Sequence, residues 1–227
     1  MPKHLDHEID KLKRQILSLA AYVEESVARS VAAINDRDAA LGEKVIDFDS
    51  HIDALEVEVE EECLKLLALY QPVAQDLRFI VACIRLNSDL ERIGDLAVNI
   101  AEQAVFLAGV AAPSEKPLDV GGMARLVRSM LSGALDALVN LDPEGARRVC
   151  ASDDEADAIH RETFRRTEDA VRRHPDEFPV LTHYLSVSRY LERIADHATN
   201  IAEDVIYMVE GEIVRHRSGE APPPRPS

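Results

Sequence analysis

Four carboxylates and one carboxamide occur twice along this chain at spacings that could hold a cation. Asp49 and Asp53 lie four residues apart, and Asp153 and Asp157 repeat them 104 residues later. Glu91, Asp95 and Asn99 form a second stripe with steps of four, repeated as Glu192, Asp196 and Asn200. On a helix, residues four apart share a face, so each stripe would present its oxygens on one side. Like charges one turn apart repel, and a cation or a basic partner relieves that repulsion. Carboxylate and carboxamide oxygens are hard ligands, suited to Mg, Ca, Mn or Fe and poorly suited to structural zinc. The competing reading is a solvated acidic face, which the twofold occurrence weakens without removing.

Such stripes need long helices to position them, and the punctuation of the chain provides room. Proline clashes inside a helix and removes a backbone donor, so uninterrupted stretches mark where helices can run. Those stretches are about 4–35, 38–70, 74–109, 119–141, 143–173 and 178–216. In the first, Leu5, Ile9, Leu12, Ile16, Leu19, Val23, Val27, Val31 and Ile34 recur every three or four residues. Leu41, Val45, Phe48, Ile52, Leu55 and Val59 do the same in the second, and Leu86, Leu90, Ile93, Ala97, Ile100 and Ala104 in the third. This is the seam of antiparallel bundle helices, and no stretch alternates as a half-buried strand would. The short breaks at 35–36, 70–72 and 174–176 make neighbouring helices antiparallel. The predicted class is all-α, with six long helices; one of 30 residues would be ~45 Å long.

Leu90 to Glu102 and Leu191 to Glu203 share ten of thirteen residues at an offset of 101. Upstream the offset is 104, where Val23, Val27, Val31 and Ile34 match Val127, Leu131, Leu135 and Leu138. A unit of about 100 residues can be a three-helix bundle in its own right. The organisation expected is a tandem repeat of two antiparallel three-helix bundles, residues 1–110 and 123–217, joined by a linker at 111–122. Residues 218–227, rich in proline, read as a disordered or polyproline-like tail. One fused six-helix bundle is the alternative. With Leu90 and Ile93 on the seam, Glu91, Asp95 and Asn99 fall at outward positions, which puts the cation site on the bundle surface.

Composition narrows the function. The chain has 227 residues, 42 acidic and 26 basic side chains and a formal charge of −16, more of it in the first half. That balance argues against nucleic acid and against anionic lipid. Aromatic residues at 4% with no Trp leave no stacking platform for bases. The N-terminus has no apolar signal region, and the longest apolar run, Ala104 to Ala112, is far short of the ~20 residues that span a bilayer. Cys63, Cys83 and Cys150 are scattered and read as reduced core thiols. The expected setting is cytoplasmic, with no insertion into the membrane. His160 and His197 lack a matching His in the other half and read as surface histidines. Arg92 and Arg193 read as surface salt-bridge partners. No nucleophile arrangement or Gly-rich phosphate loop is visible, so no enzyme is expected. A ferritin-like di-iron enzyme would need Glu-x-x-His on core-facing helices, and that pattern is absent from the sequence.

The two three-helix repeats, the Asp-x-x-x-Asp pairs and the motif Glu-Arg-Ile-Gly/Ala-Asp-x-Ala-x-Asn-Ile-Ala-Glu together resemble the PhoU family of bacterial phosphate regulators. Asp76-Leu-Arg-Phe, following Gln71-Pro72-Val-Ala, fits the same pattern. The resemblance covers the chain except its Pro-rich tail. It implies a cytoplasmic negative regulator of phosphate uptake and of the phosphate-starvation response. Its implied partners are the ATPase of the phosphate ABC transporter and a sensor histidine kinase. It also implies surface metal clusters of Fe, Mn, Mg or Zn ions. Residue by residue, the metal role falls on Asp49, Asp53, Glu91, Asp95 and Asn99, and on Asp153, Asp157, Glu192, Asp196 and Asn200. His51 stands where the second repeat has Glu155, and Asp89 where it has Tyr190, so the two sites are expected to differ. Repeated faces on an elongated bundle favour a homodimer. A metal-free docking scaffold, its acidic faces meeting basic partners, is the alternative.

Overall fold

The structure is a computed structural model and describes residues 2–211. The Pro-rich tail and the last residues of the sixth stretch lie outside the described residues. The helices are α1 (Pro2–Asp36), α2 (Ala39–Tyr70), α3 (Ala74–Ala108), α4 (Val120–Asn140), α5 (Pro143–Cys150), α6 (Asp153–Arg173) and α7 (Phe178–Glu210), with a single 3₁₀ turn at Pro175–Glu177. No strand occurs among the described residues. The chain is all-α, as its periodicity requires.

The repeat extends to the helix caps. The side chain of Asp38 accepts from Leu41 N–H at the start of α2, and that of Asp142 accepts from Glu144 N–H at the start of α5. These residues are 104 apart, and each satisfies a backbone donor that the first helical turn leaves unpaired. The residue before each cap, Arg37 or Leu141, takes the left-handed conformation.

One expectation fails here. The fifth stretch is not one helix but breaks at Ala151–Ser152 into α5 and α6. The local hydrogen bonds tighten, with Ser152 N–H donating to Val149 O and Ser152 Oγ to Arg148 O. Charge around the break suits two termini: Arg147 and Arg148 close α5, while Asp153, Asp154 and Glu155 open α6. Asp153 therefore sits in the first turn of a helix, whereas Asp49 lies in the middle of one.

Within the first half α1, α2 and α3 pack on one another, and in the second α4, α5 and α6 pack on α7. The halves join through α3 on α7 and α1 on α4, and one continuous apolar core runs through both. Leu86, Leu90 and Ile93 are fully buried, as are Leu191 and Ile194 at the matching positions of α7. Each such side chain contributes about 1.5–3 kcal/mol over its exposed state. Burial of this stripe fixes the rotation of α3 and α7 and hence the direction of their carboxylates.

Candidate functional site

In the first half, α2 crosses α3 closely because Gly94 has no side chain. A Cβ there would stand 3.3 Å from Ile52 Cγ2 and 3.5 Å from Asp49 Oδ1. Asp49 is thus laid against the backbone of α3, half-buried, beside the stripe of Glu91 and Asp95. Burial, then the charges of Asp53 and Asp95, raise its pKa from 3.8 to about 6. Glu91 is raised by burial and by Asp95, Glu56 and Asp53, against a lowering from Arg92. Asp95 is raised by burial and by Asp53. The two stripes do converge, as the antiparallel pairing of their helices predicts.

The second half repeats the arrangement with more positive charge around it. Burial and then Glu192, Asp153 and Asp157 raise Asp196 to about 6. Asp153 and Glu192 are raised as well, chiefly by burial. Here, however, Arg161 pairs with Asp157 at 3.1 Å, and Arg189 and Arg193 pull Glu192 down. Thr199 Oγ1 donates to Asp153 at 3.3 Å. Asp153, Asp196 and Asn200 open onto a depression of about 410 Å³, shared with Arg193, His197 and Thr199. The two clusters are alike in position and unlike in charge.

Sequence reasoning missed Glu56. It lies one turn beyond Asp53 and is raised by burial and by Glu60 and Asp53. Asn87 Nδ2 holds it, donating to Glu56 Oε1 and to its carbonyl, both at 2.9 Å. The i+3 step from Asp53 was the available signal. Its repeat equivalent is His160, and the equivalent of Asn87 is Ser188, which hydrogen-bonds His160 Nδ1 at 2.9 Å. The same α2–α3 and α6–α7 contact is thus made with a carboxylate in one half and an imidazole in the other.

Both histidines depart from the surface role expected of them. His160 is half-buried, and desolvation and nearby Arg189 lower its pKa. His197 is buried, with Nδ1 2.8 Å from Asp89 Oδ1 across the α3–α7 junction. Asn200 Nδ2 donates to the same oxygen at 3.3 Å. The pairing decides this: α3 and α7 pack on each other, so a His one position past an exposed Asp turns into the interface. Asn99 Nδ2 instead donates to the Asp95 carbonyl in its own helix. Glu91 and Asn99, read as outward, are half-buried beneath α2, whereas Asp53, Asp95 and Asp196 are exposed. Arg92 and Arg193 act at a distance and close no ion pair within 4.0 Å among the described residues.

The donor set suits a hard cation in chemistry, since positive charge would favour the ionised form of carboxyls that burial, and then mutual repulsion, hold up. As the side chains stand they are splayed. Among the described residues no three His, Cys, Asp or Glu side chains gather around one point as ligands would. Loading a cation would therefore require rotamer changes, which exposed carboxylates make readily.

Comparison with known proteins places the chain. Residues 16–104 and 120–205 each match the PhoU domain. The phosphate-specific transport system accessory protein PhoU homolog of Rhizobium meliloti is 37% identical over 206 residues, spanning 91% of this chain and 87% of that protein. The homolog of Aquifex aeolicus is 38% identical over 211 residues, spanning 92% and 95%. The crystal structure of PhoU from Pseudomonas aeruginosa superposes with a TM-score of 0.89 at 33% identity, covering 91% of this chain and 99% of that one. The phosphate transport system regulatory protein PhoU from Streptococcus pneumoniae gives 0.82 at 29% identity, covering 92% and 99%. Both halves match the PhoU domain and the fold matches the solved PhoU structures over nine-tenths of the chain, and the chain belongs to the PhoU family.

Proposed function

We propose that this protein is a cytoplasmic accessory of a phosphate transport system that restrains phosphate uptake and phosphate-starvation signalling without catalysing a reaction. It acts as a cation-binding adaptor, probed by two partners: the ATPase subunit of the phosphate transporter and a sensor histidine kinase. It works as a homodimer. The relatives named for phosphate transport support the setting. The observation that supports the cation role is the pair of carboxylate clusters, each spanning two helices and each raising the pKa of its own members. Asp49, Asp53, Glu91 and Asp95, with Asn99 and Glu56 beside them, would hold one site. Asp153, Asp157, Glu192, Asp196 and Asn200 would hold the other. The first cluster, with less positive charge around it, is the tighter of the two. A bound Fe, Mn, Mg or Zn ion would supply positive charge on a surface that otherwise repels an anionic partner.

The test is a calorimetric titration of metal-stripped protein with Mn²⁺ and then Fe²⁺, beside the double variant Asp95→Asn, Asp196→Asn. Saturable binding that falls away in the variant supports the adaptor reading. Equal binding in both proteins, or none in either, refutes the site assignment. The exposure of Asp53, Asp95 and Asp196 then favours a second reading, in which the acidic faces dock basic partner surfaces directly. Partner binding would in that case be indifferent to chelation.

A further inference from the structure

The seam between the two halves is treated differently at its two ends. At one end the linker after α3 is tied down. Arg37, just past α1, donates to the carbonyls of Leu107 and Val110. Glu177, ahead of α7, accepts from Ser114 N–H at 3.0 Å and from Ser114 Oγ at 2.6 Å. Pro113, Pro117 and Leu118 are buried there. The repeat assigns Gly121, Asn35 and Arg37, polar or small residues, to this end.

At the other end the repeat puts Leu17, Val139 and Leu141 in those places. They are 36, 56 and 42% exposed, three large apolar side chains at positions that carry Gly121, Asn35 and Arg37 at the equivalent end. They border an apolar groove of about 150 Å³ between α1, α3 and α4. Phe79 lines its wall, with Lys13 Nζ 5.4 Å from the ring centre. Isolated exposed apolar residues are ordinary, but a groove of them at a position covered in the other half asks for a cover.

The segment that corresponds to the linker is the one after α7. Gly211 caps α7 in the left-handed conformation, its N–H donating to Tyr207 O. A Cβ on Gly211 would stand 3.8 Å from the Arg78 guanidinium, and Arg78 immediately precedes Phe79 of the groove. Arg147 of α5 bonds Glu210 at 2.6 Å, which holds the end of α7 beside the helix that follows Leu141. The chain thus leaves α7 at the rim of the groove. The offset of 101 that relates α3 to α7 carries buried Pro113 onto Val214. Val214 is three residues past Gly211, a reach of about 10 Å. Residues 212–227 carry three Arg and two Glu, so this segment is net basic on a chain of charge −16.

We propose that the chain's own C-terminal segment docks in this groove, with Ile213 and Val214 as its apolar anchors. It takes in the second half the place that the linker takes in the first. The protein contains no Trp, so a single Trp introduced by Val214→Trp in the full chain reports on the site without background. The expected result is a blue-shifted emission with acrylamide quenching several-fold weaker than for free tryptophan, independent of protein concentration. Adding Val139→Asp and Leu141→Asn, both at exposed positions, should shift the emission to the red and restore quenching. Asn is suited to the left-handed backbone at 141, and circular dichroism checks that the body stays folded. A Trp fully quenched in the parent overturns the proposal. So does protection unaffected by the groove substitutions, and so does protection lost on dilution, which would mean that a second copy supplies the occupant.

Discussion

Replacing Asp49 by Asn should make the metal-free protein more stable at neutral pH, although it removes a charged residue from the proposed site. Asp49 is half-buried against Gly94, and burial with the charges of Asp53 and Asp95 raises its pKa from 3.8 to about 6. A carboxyl raised on folding holds its proton more tightly in the folded than in the unfolded chain. Stability therefore falls as pH rises from about 4 to about 6, and stays at the lower level above that. In full, a rise of this size corresponds to about 3 kcal/mol at neutral pH. Water and salt reach a half-buried group, so the expected gain for Asp49→Asn at pH 7.5 is about 1 kcal/mol. For a chain of this length that is about 2–4 °C in melting temperature. At pH 5 much of the wild-type penalty is already relieved by protonation, and the gap should shrink by roughly half. Thermal unfolding followed by circular dichroism in chelator, for both proteins at both pH values, measures this directly. A variant that melts at or below wild type at pH 7.5, or a gap unchanged between the two pH values, would refute a carboxyl raised by burial and neighbouring charge at Asp49.

Two further substitutions test the packing that sets the site. Gly94→Ala should be tolerated, because Ala195 occupies the matching place on α7, whereas Gly94→Val should destabilise by about 1–3 kcal/mol in urea titrations through overpacking against Ile52 and Asp49. Equal stability of the two variants would mean that α2 and α3 are not held this closely. His197→Leu should cost about 1–3 kcal/mol, since it leaves the buried carboxylate of Asp89 with Asn200 as its remaining bonded partner in this junction. A surface histidine would give a change within about 0.5 kcal/mol in the same denaturation measurement.

Much of this molecule follows from local pattern. The three- and four-residue recurrence from Leu5 to Ile34, and its counterparts, dictates helices because burying that stripe is what stabilises them. The four-residue steps from Asp49 to Asp53 and from Glu91 to Asn99 put each set of oxygens on one face by helix geometry alone. The repeat at offsets of 101 and 104 makes whatever one half does available to the other. The interruption at Ala151–Ser152 was also written locally, in the arginines before it and the acids after it, yet helical periodicity runs through it and hides it.

What the sequence alone did not decide depends on which helices meet and at what rotation. His197 stands next to Asp196 in the chain, but one faces Asp89 in the α3–α7 junction and the other faces water. Glu56 joins the first cluster because Asn87 of another helix holds it there. Asp49 and Asp196 are raised by burial between packed helices and by charges from both their own helix and the facing one, and the groove beside Leu141 stays open where the linker covers the equivalent end of the seam. These are non-local contacts. A residue's neighbours along a helix follow from its spacing, whereas its neighbours across a helix pair follow from the packing of the whole core.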